Sequence, residues 1–152
     1  RLATANRGLI SDIIACPGMD YCSLATARSI PVAQAISERF RDLARQQDIG
    51  DLRLNISGCI NACAHHHVAN IGVLGVDKKG TEYYQVTLGG VSNENAAIGS
   101  IIGPAFDEWQ IPDAIETIVD VYLQQREVGE KFIQTYQRIG PQPFKEKLYA
   151  SD

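Results

Sequence analysis

The sequence contains no apolar run approaching the roughly 20 residues that a membrane span requires. Its opening, Arg1 to Ile10, also lacks the apolar stretch of a secretory signal. Both absences make the cytoplasm the expected compartment and exclude a membrane partner. There is no initiator methionine, and Leu2-Ala3-Thr4-Ala5 follow Arg1, so the chain is expected to be a processed or excised piece of a longer protein. Lysines and arginines never run more than two together, and 14 of them against 18 acidic residues leave a formal charge of −4. A surface that neutralises phosphates needs the opposite balance, so DNA and RNA are excluded as partners. Internal repeats and low-complexity stretches are missing as well.

What is present suits one globular domain over residues 1–152, long enough to bury a core without disulfides. Leu9 to Ala15 reads as a short buried strand that runs into Cys16-Pro17-Gly18, with a helix starting near Tyr21. Val32, Ala35, Ile36, Phe40 and Leu43 recur at helical spacing after Pro31, which predicts an amphipathic helix ending near Gly50. Leu52 to Ile56 alternates and predicts a strand leading into Ser57-Gly58-Cys59. Ile71 to Val76 and Tyr83 to Leu88 form a hairpin around Asp77-Lys78-Lys79-Gly80. The glycines at 89, 90, 99 and 103 suggest backbone passing close to other backbone or to a ligand. Helices are predicted from Pro112, around Phe132 to Ile139, and from Pro143 to Tyr149.

Four cysteines in a chain of this kind are more readily ligands than disulfides. They form two pairs, Cys16 and Cys22 with five residues between, and Cys59 and Cys63 with three. Structural zinc commonly takes closer spacings, because both thiolates reach one ion at about 2.3 Å. An iron-sulfur cubane presents its irons at separate corners. If Cys59 opens a helix, Cys63 lies on the same face roughly 5 to 6 Å away and addresses a second iron. The helix start then supplies free N–H groups to an anionic cluster. Ala15, Gly18, Gly58, Ala62 and Ala64 leave room for backbone N–H groups near cluster sulfurs. Inert buried thiols and a zinc-held structural or interaction module are the competing readings, with an iron-sulfur sensor a third that the acidic balance disfavours.

The stretch Ala15-Cys16-Pro17-Gly18-Met19-Asp20-Tyr21-Cys22-Ser23-Leu24-Ala25, followed by Ser57-Gly58-Cys59-Ile60-Asn61-Ala62-Cys63, resembles the paired motifs of the siroheme-dependent sulfite and nitrite reductases. Ile71 to Val76, Leu88-Gly89-Gly90 and Arg138 to Lys145 look like the C-terminal portion of the same family. The resemblance implies an α+β fold, a mixed β-sheet covered by helices with a helical C-terminal tail. It implies one 4Fe-4S cluster held by Cys16, Cys22, Cys59 and Cys63, with the Cys63 sulfur also bridging to the siroheme iron. It further implies six-electron reduction of sulfite to sulfide or nitrite to ammonia, with a ferredoxin or flavoprotein as electron donor. Ile60 stands where many members have proline, a change that removes no ligand.

Asn61 matches the motif and is a candidate for a hydrogen bond near the cluster or heme. His65-His66-His67 follow Cys63; on a helix only one or two of them face a single site, and His65 and His67 are the candidates for the cofactor edge. Holding an anionic substrate requires cations, and no basic cluster lies near the cysteines. The resemblance places those cations in the N-terminal half, which this sequence lacks. No catalytic residue is therefore assigned here, and the chain alone is expected to be inactive.

Overall fold

The computed structural model describes residues 5–150, built on a five-stranded sheet in the order β1-β2-β3-β4-β5. The strands are β1 (Ile14–Ala15), β2 (Leu54–Ser57), β3 (Ile71–Lys78), β4 (Thr81–Leu88) and β5 (Ser100–Ile101). β1, β2 and β3 run parallel, whereas β3–β4 and β4–β5 are antiparallel, so the sheet is mixed as expected. Its helices are α1 (Ile30–Arg39), α2 (Leu43–Ile49), α3 (Ile111–Gln125), α4 (Phe132–Ile139) and α5 (Gln142–Leu148), the last three forming the expected tail.

The β3–β4 hairpin turns through Lys79 and Gly80, both at positive φ, while the Gly80 N–H donates to the Asp77 carboxylate. Its two central residues adopt the backbone that matches the twist of antiparallel strands. β2 differs from its predicted alternation, because all four of its residues are buried. A central parallel strand is covered on both faces. Asn55 survives there because its carboxamide donates to the Ala64 carbonyl at 2.7 Å.

Three predicted elements change. The strand over Leu9 to Ala15 shrinks to Ile14 and Ala15, because the preceding residues fold into turns closed by Leu9 N–H to Asn6 O and Gly8 N–H to the Asp12 carboxylate. No helix starts near Tyr21; the amides of Tyr21 and Cys22 both bond the Gly18 carbonyl and the chain then continues in turns. The single helix from Pro31 to Gly50 is two, since the Asp42 side chain caps α2 by accepting from the Ala44 N–H at 2.9 Å. A capping aspartate competes with continuation of the preceding helix. The two-residue β5 was not anticipated.

α3 packs its apolar stripe, including Ile111, Ile115, Ile118 and Tyr122, into one core with Ile36 and Phe40 of α1 and its C-terminal end and with Ile56, Val73 and Val86 of the sheet. Tyr122 fixes the tail to α2 by donating to the Ile49 carbonyl at 3.0 Å. No described helix is long and apolar enough to cross a membrane. Gly72 of β3 is crowded: a Cβ there would stand 2.1 Å from the His66 carbonyl oxygen and 2.4 Å from Thr87 Oγ1. A Gly72→Ala variant is therefore expected to lose about 3 kcal/mol of unfolding free energy, seen as a lower urea midpoint with an unchanged slope.

Candidate metal centre

The two cysteine pairs follow adjacent parallel strands. Cys16 leaves β1 and Cys59 comes two residues after β2, so β1–β2 pairing delivers both loops to the same end of the sheet. The Cys16 amide donates to the Ile56 carbonyl at 3.1 Å and continues the ladder by one rung. The Gly58 N–H then donates to the Cys16 sulfur at 3.1 Å. The Ser29 hydroxyl donates to the Cys16 carbonyl and lies 3.7 Å from its sulfur.

A second set of bonds locks the loops together. The Gly58 carbonyl accepts from the amides of Thr26 and Ala27, and the Thr26 hydroxyl donates to it at 3.1 Å. The contact is too close for side chains: a Cβ on Gly58 would sit 2.6 Å from the Ala27 carbonyl oxygen and 3.0 Å from Gly18 Cα. The following Arg28 anchors this loop to β4. Its N–H and guanidinium both donate to Glu82, at 2.7 and 3.0 Å, and the Tyr84 hydroxyl donates to the Arg28 carbonyl at 2.8 Å. Burial works to raise the Glu82 carboxyl, but the Arg28 N–H, the Tyr84 hydroxyl and the Arg28 charge outweigh it and hold it below the usual carboxylate range. Burial and the neighbouring Glu82 push the Tyr84 phenol well above the usual tyrosine range.

The expected helix from Cys59 to His67 is absent. Consecutive turns replace it, with Ala62 N–H to Cys59 O, His65 N–H to Ala62 O and a 3-10 turn at His66–Val68. Ala62 and His65 adopt left-handed backbone, φ 55° and 54°, a conformation that costs a non-glycine residue roughly 1–2 kcal/mol. Asn55 explains the departure, since its carboxamide takes the Ala64 carbonyl and reaches His65 O, the oxygens a helix would offer its next turn. Cys59 and Cys63 are consequently presented by turns, not along one helical face. Cys59 is buried, Cys16 and Cys22 are half-buried, and Cys63 is exposed.

Asn61, His65 and His67 are exposed, so the buried member of the histidine run is the one not singled out, His66. Its ring packs 4.0 Å from that of His67, and its Nδ1 has no protein partner. Ser57 Oγ, one residue before Gly58, is the other buried side-chain atom without a partner among the described residues. Such unmet groups cost about 1–3 kcal/mol each and gather where structure serves something besides stability. Ser29, Asn55 and His66 were not distinguished in the sequence; only Asn55, a carboxamide within a strand pattern, carried a signal.

Among the described residues, no three His, Cys, Asp or Glu side chains are drawn around one point as a single metal ion requires. A four-iron cluster instead takes one thiolate per iron, and its sulfurs accept N–H donors such as that of Gly58. The donor set suits the cluster: thiolates from two loops, the Gly58 N–H donating to the Cys16 sulfur, and Gly18 and Gly58 letting the loops interlock.

The family described as nitrite and sulphite reductase 4Fe-4S domain matches residues 8–151. The chain is 31% identical over 133 residues to the sulfite reductase [ferredoxin] 2 of Mycolicibacterium paratuberculosis, covering 81% of this chain and 24% of that protein. It is 28% identical over 141 residues to the assimilatory ferredoxin-dependent nitrite reductase of Haloferax mediterranei, covering 84% and 23%. Among solved structures, the NirA protein of Mycobacterium tuberculosis superposes with a TM-score of 0.73 at 27% identity over 87% of this chain and 26% of that one. The chain thus spans about a quarter of the length of these relatives.

Two outcomes are expected. Asn55→Ala leaves the Ala64 carbonyl unpaired and should cost about 1–3 kcal/mol in urea unfolding. Burial, with the neighbouring His67, holds the His66 imidazole down to about 4 from its ordinary 6.5. The folded chain thus prefers neutral His66, and this contribution is complete above pH 6.5 and lost as pH falls toward 4. Urea titrations from pH 7 to 4.5 should show a shallower loss of stability in His66→Gln than in the parent, and equal slopes would contradict this origin.

Proposed function

Because the chain belongs to the nitrite and sulphite reductase 4Fe-4S domain family, we propose that it is the C-terminal iron-sulfur portion of a siroheme-dependent reductase. Cys16, Cys22, Cys59 and Cys63 would hold the cluster, and Cys63 would serve both the cluster and the siroheme. When bound, the two groups would relay electrons from an external donor, six for each sulfite reduced to sulfide or nitrite reduced to ammonia.

The observation that carries this reading is the placement of both cysteine loops at the ends of neighbouring parallel strands, interlocked through Gly58. The gradient of burial supports the division of roles. Cys59 lies inside, while Cys63 is open to whatever covers the loops. The same two loops expose Tyr21 (80% exposed), Leu24 and Ile60 (83% exposed), with Ile14 and Met19 also uncovered. Apolar exposure of this kind awaits a partner surface, and the N-terminal half of the same reductase is that partner, excluding water from the joint site.

Substrate-holding cations must come from that half too. Arg28 is committed to Glu82 and Glu108, Arg39 to Asp113 and Glu116, and Arg45 to Glu116 and Asp120. Sulfite and nitrite are both reasonable substrates. A ferredoxin is the first electron donor to try, because the relatives compared include ferredoxin-dependent enzymes of both kinds; a flavoprotein is the alternative.

Protein purified without oxygen is expected to contain about four iron and four sulfide per chain, the content of one cubane held by four cysteine thiolates, with no zinc. Stoichiometric zinc without sulfide would overturn the reading. Supplied with a chemical reductant and sulfite or nitrite, the isolated chain should show no turnover.

A further inference from the structure

A serine at the residue before a helix ordinarily caps it, its hydroxyl accepting from an N–H of the first turn. Ser29 holds that place at α1, yet its side chain makes no capping bond. It is fully buried, and its hydroxyl donates to the Cys16 carbonyl. The parallel ladder explains why that carbonyl is free. Ile14 pairs with Asn55 and Ala15 with Ile56, so Cys16 stands opposite Ser57. In a regular parallel ladder a residue donates to the residue before its partner and accepts from the residue after it. The first bond exists, Cys16 N–H to Ile56 O. The second would run from the Gly58 N–H to the Cys16 carbonyl, but that N–H goes to the Cys16 sulfur at 3.1 Å.

We propose that Ser29 is a positioning residue for the cluster: by occupying the Cys16 carbonyl it frees the Gly58 N–H for the Cys16 sulfur, and this raises the reduction potential of the cluster. The inference rests on the cluster reading given under Proposed function. Reduction adds negative charge to the cluster and its sulfurs, so a donor aimed at a ligand sulfur stabilises the reduced form more than the oxidised one. Without the Ser29 hydroxyl, the Cys16 carbonyl loses its donor, and the Gly58 N–H returns to it as the ladder dictates. Helix capping cannot account for the serine, since the cap bond is not made, and its hydroxyl packs so closely on Gly18 that a Cβ on that glycine would stand 2.4 Å from Ser29 Oγ.

The test uses the full-length reductase that contains this chain, with iron and sulfide measured first. In S29A with full cluster content, an EPR-monitored redox titration should place the cluster midpoint lower by about a tenfold change in the reduction equilibrium, ~59 mV for a one-electron couple. An unchanged midpoint overturns the proposal, because a purely structural role would alter stability and leave the potential in place. If S29A fails to assemble its cluster, the wild-type protein decides: labelled with 15N-glycine and reduced, it should show a nitrogen coupling to the cluster spin, and absence of that coupling overturns the proposal. Wild-type protein lacking iron and sulfide would instead overturn the cluster reading itself.

Discussion

The pairing of β1 with β2 is the constraint on which the rest depends. β1 is only two residues long and half exposed, so by itself it contributes little stability. It matters because a parallel partner fixes both where a chain ends and which way it leaves. With β1 and β2 side by side and pointing the same way, two cysteine loops separated by some forty residues of sequence emerge together. Everything after that is local adjustment: the Gly58 backbone placed between the loops, and glycine where a Cβ would collide with the Ala27 carbonyl.

The hairpin does for the first loop what the ladder does for the second. Arg28 and Tyr84 clasp each other across Glu82, which accepts from the Arg28 backbone and side chain and shares the single Tyr84 hydroxyl proton with the Arg28 carbonyl. Exposed ion pairs contribute little to stability, but a carboxylate that takes a backbone N–H and a buried phenol as well defines a position. The first cysteine loop is therefore tied at both ends, at Cys16 by the β1–β2 ladder and at Arg28 by β4.

Much of this was legible beforehand. The β3–β4 hairpin and the tail helices carry long periodic patterns ended by glycine, proline or a polar turn, and they lie close to where those signals put them. The cysteine spacing, with glycine beside each pair, marked the two loops that the structure brings to one end of the sheet. The failures share a cause: side chains that take backbone hydrogen bonds locally. Asp42 divides one apolar stripe into two helices, and Asn55 turns the segment after Cys59 away from a helix. Neither effect has a periodicity. The histidine run shows the same limit, because helical geometry was the wrong frame for a 3-10 turn entered from left-handed backbone, and the central His66 went inward in place of its neighbours.

The bonds that shape the cysteine loops join residues far apart in the sequence: Cys16 to Gly58, Thr26 to Gly58, Arg28 to Glu82. Contacts of long sequence separation form late, since loop closure must precede any gain from them. In a nascent or refolding chain the first two thiols would therefore lie on a floppy arm until β3 and β4 have paired. The topology thus separates two kinds of contact by their cost in loop closure: the β3–β4 hairpin is local, whereas the interlocked cysteine loops come together only once the distant strands have paired.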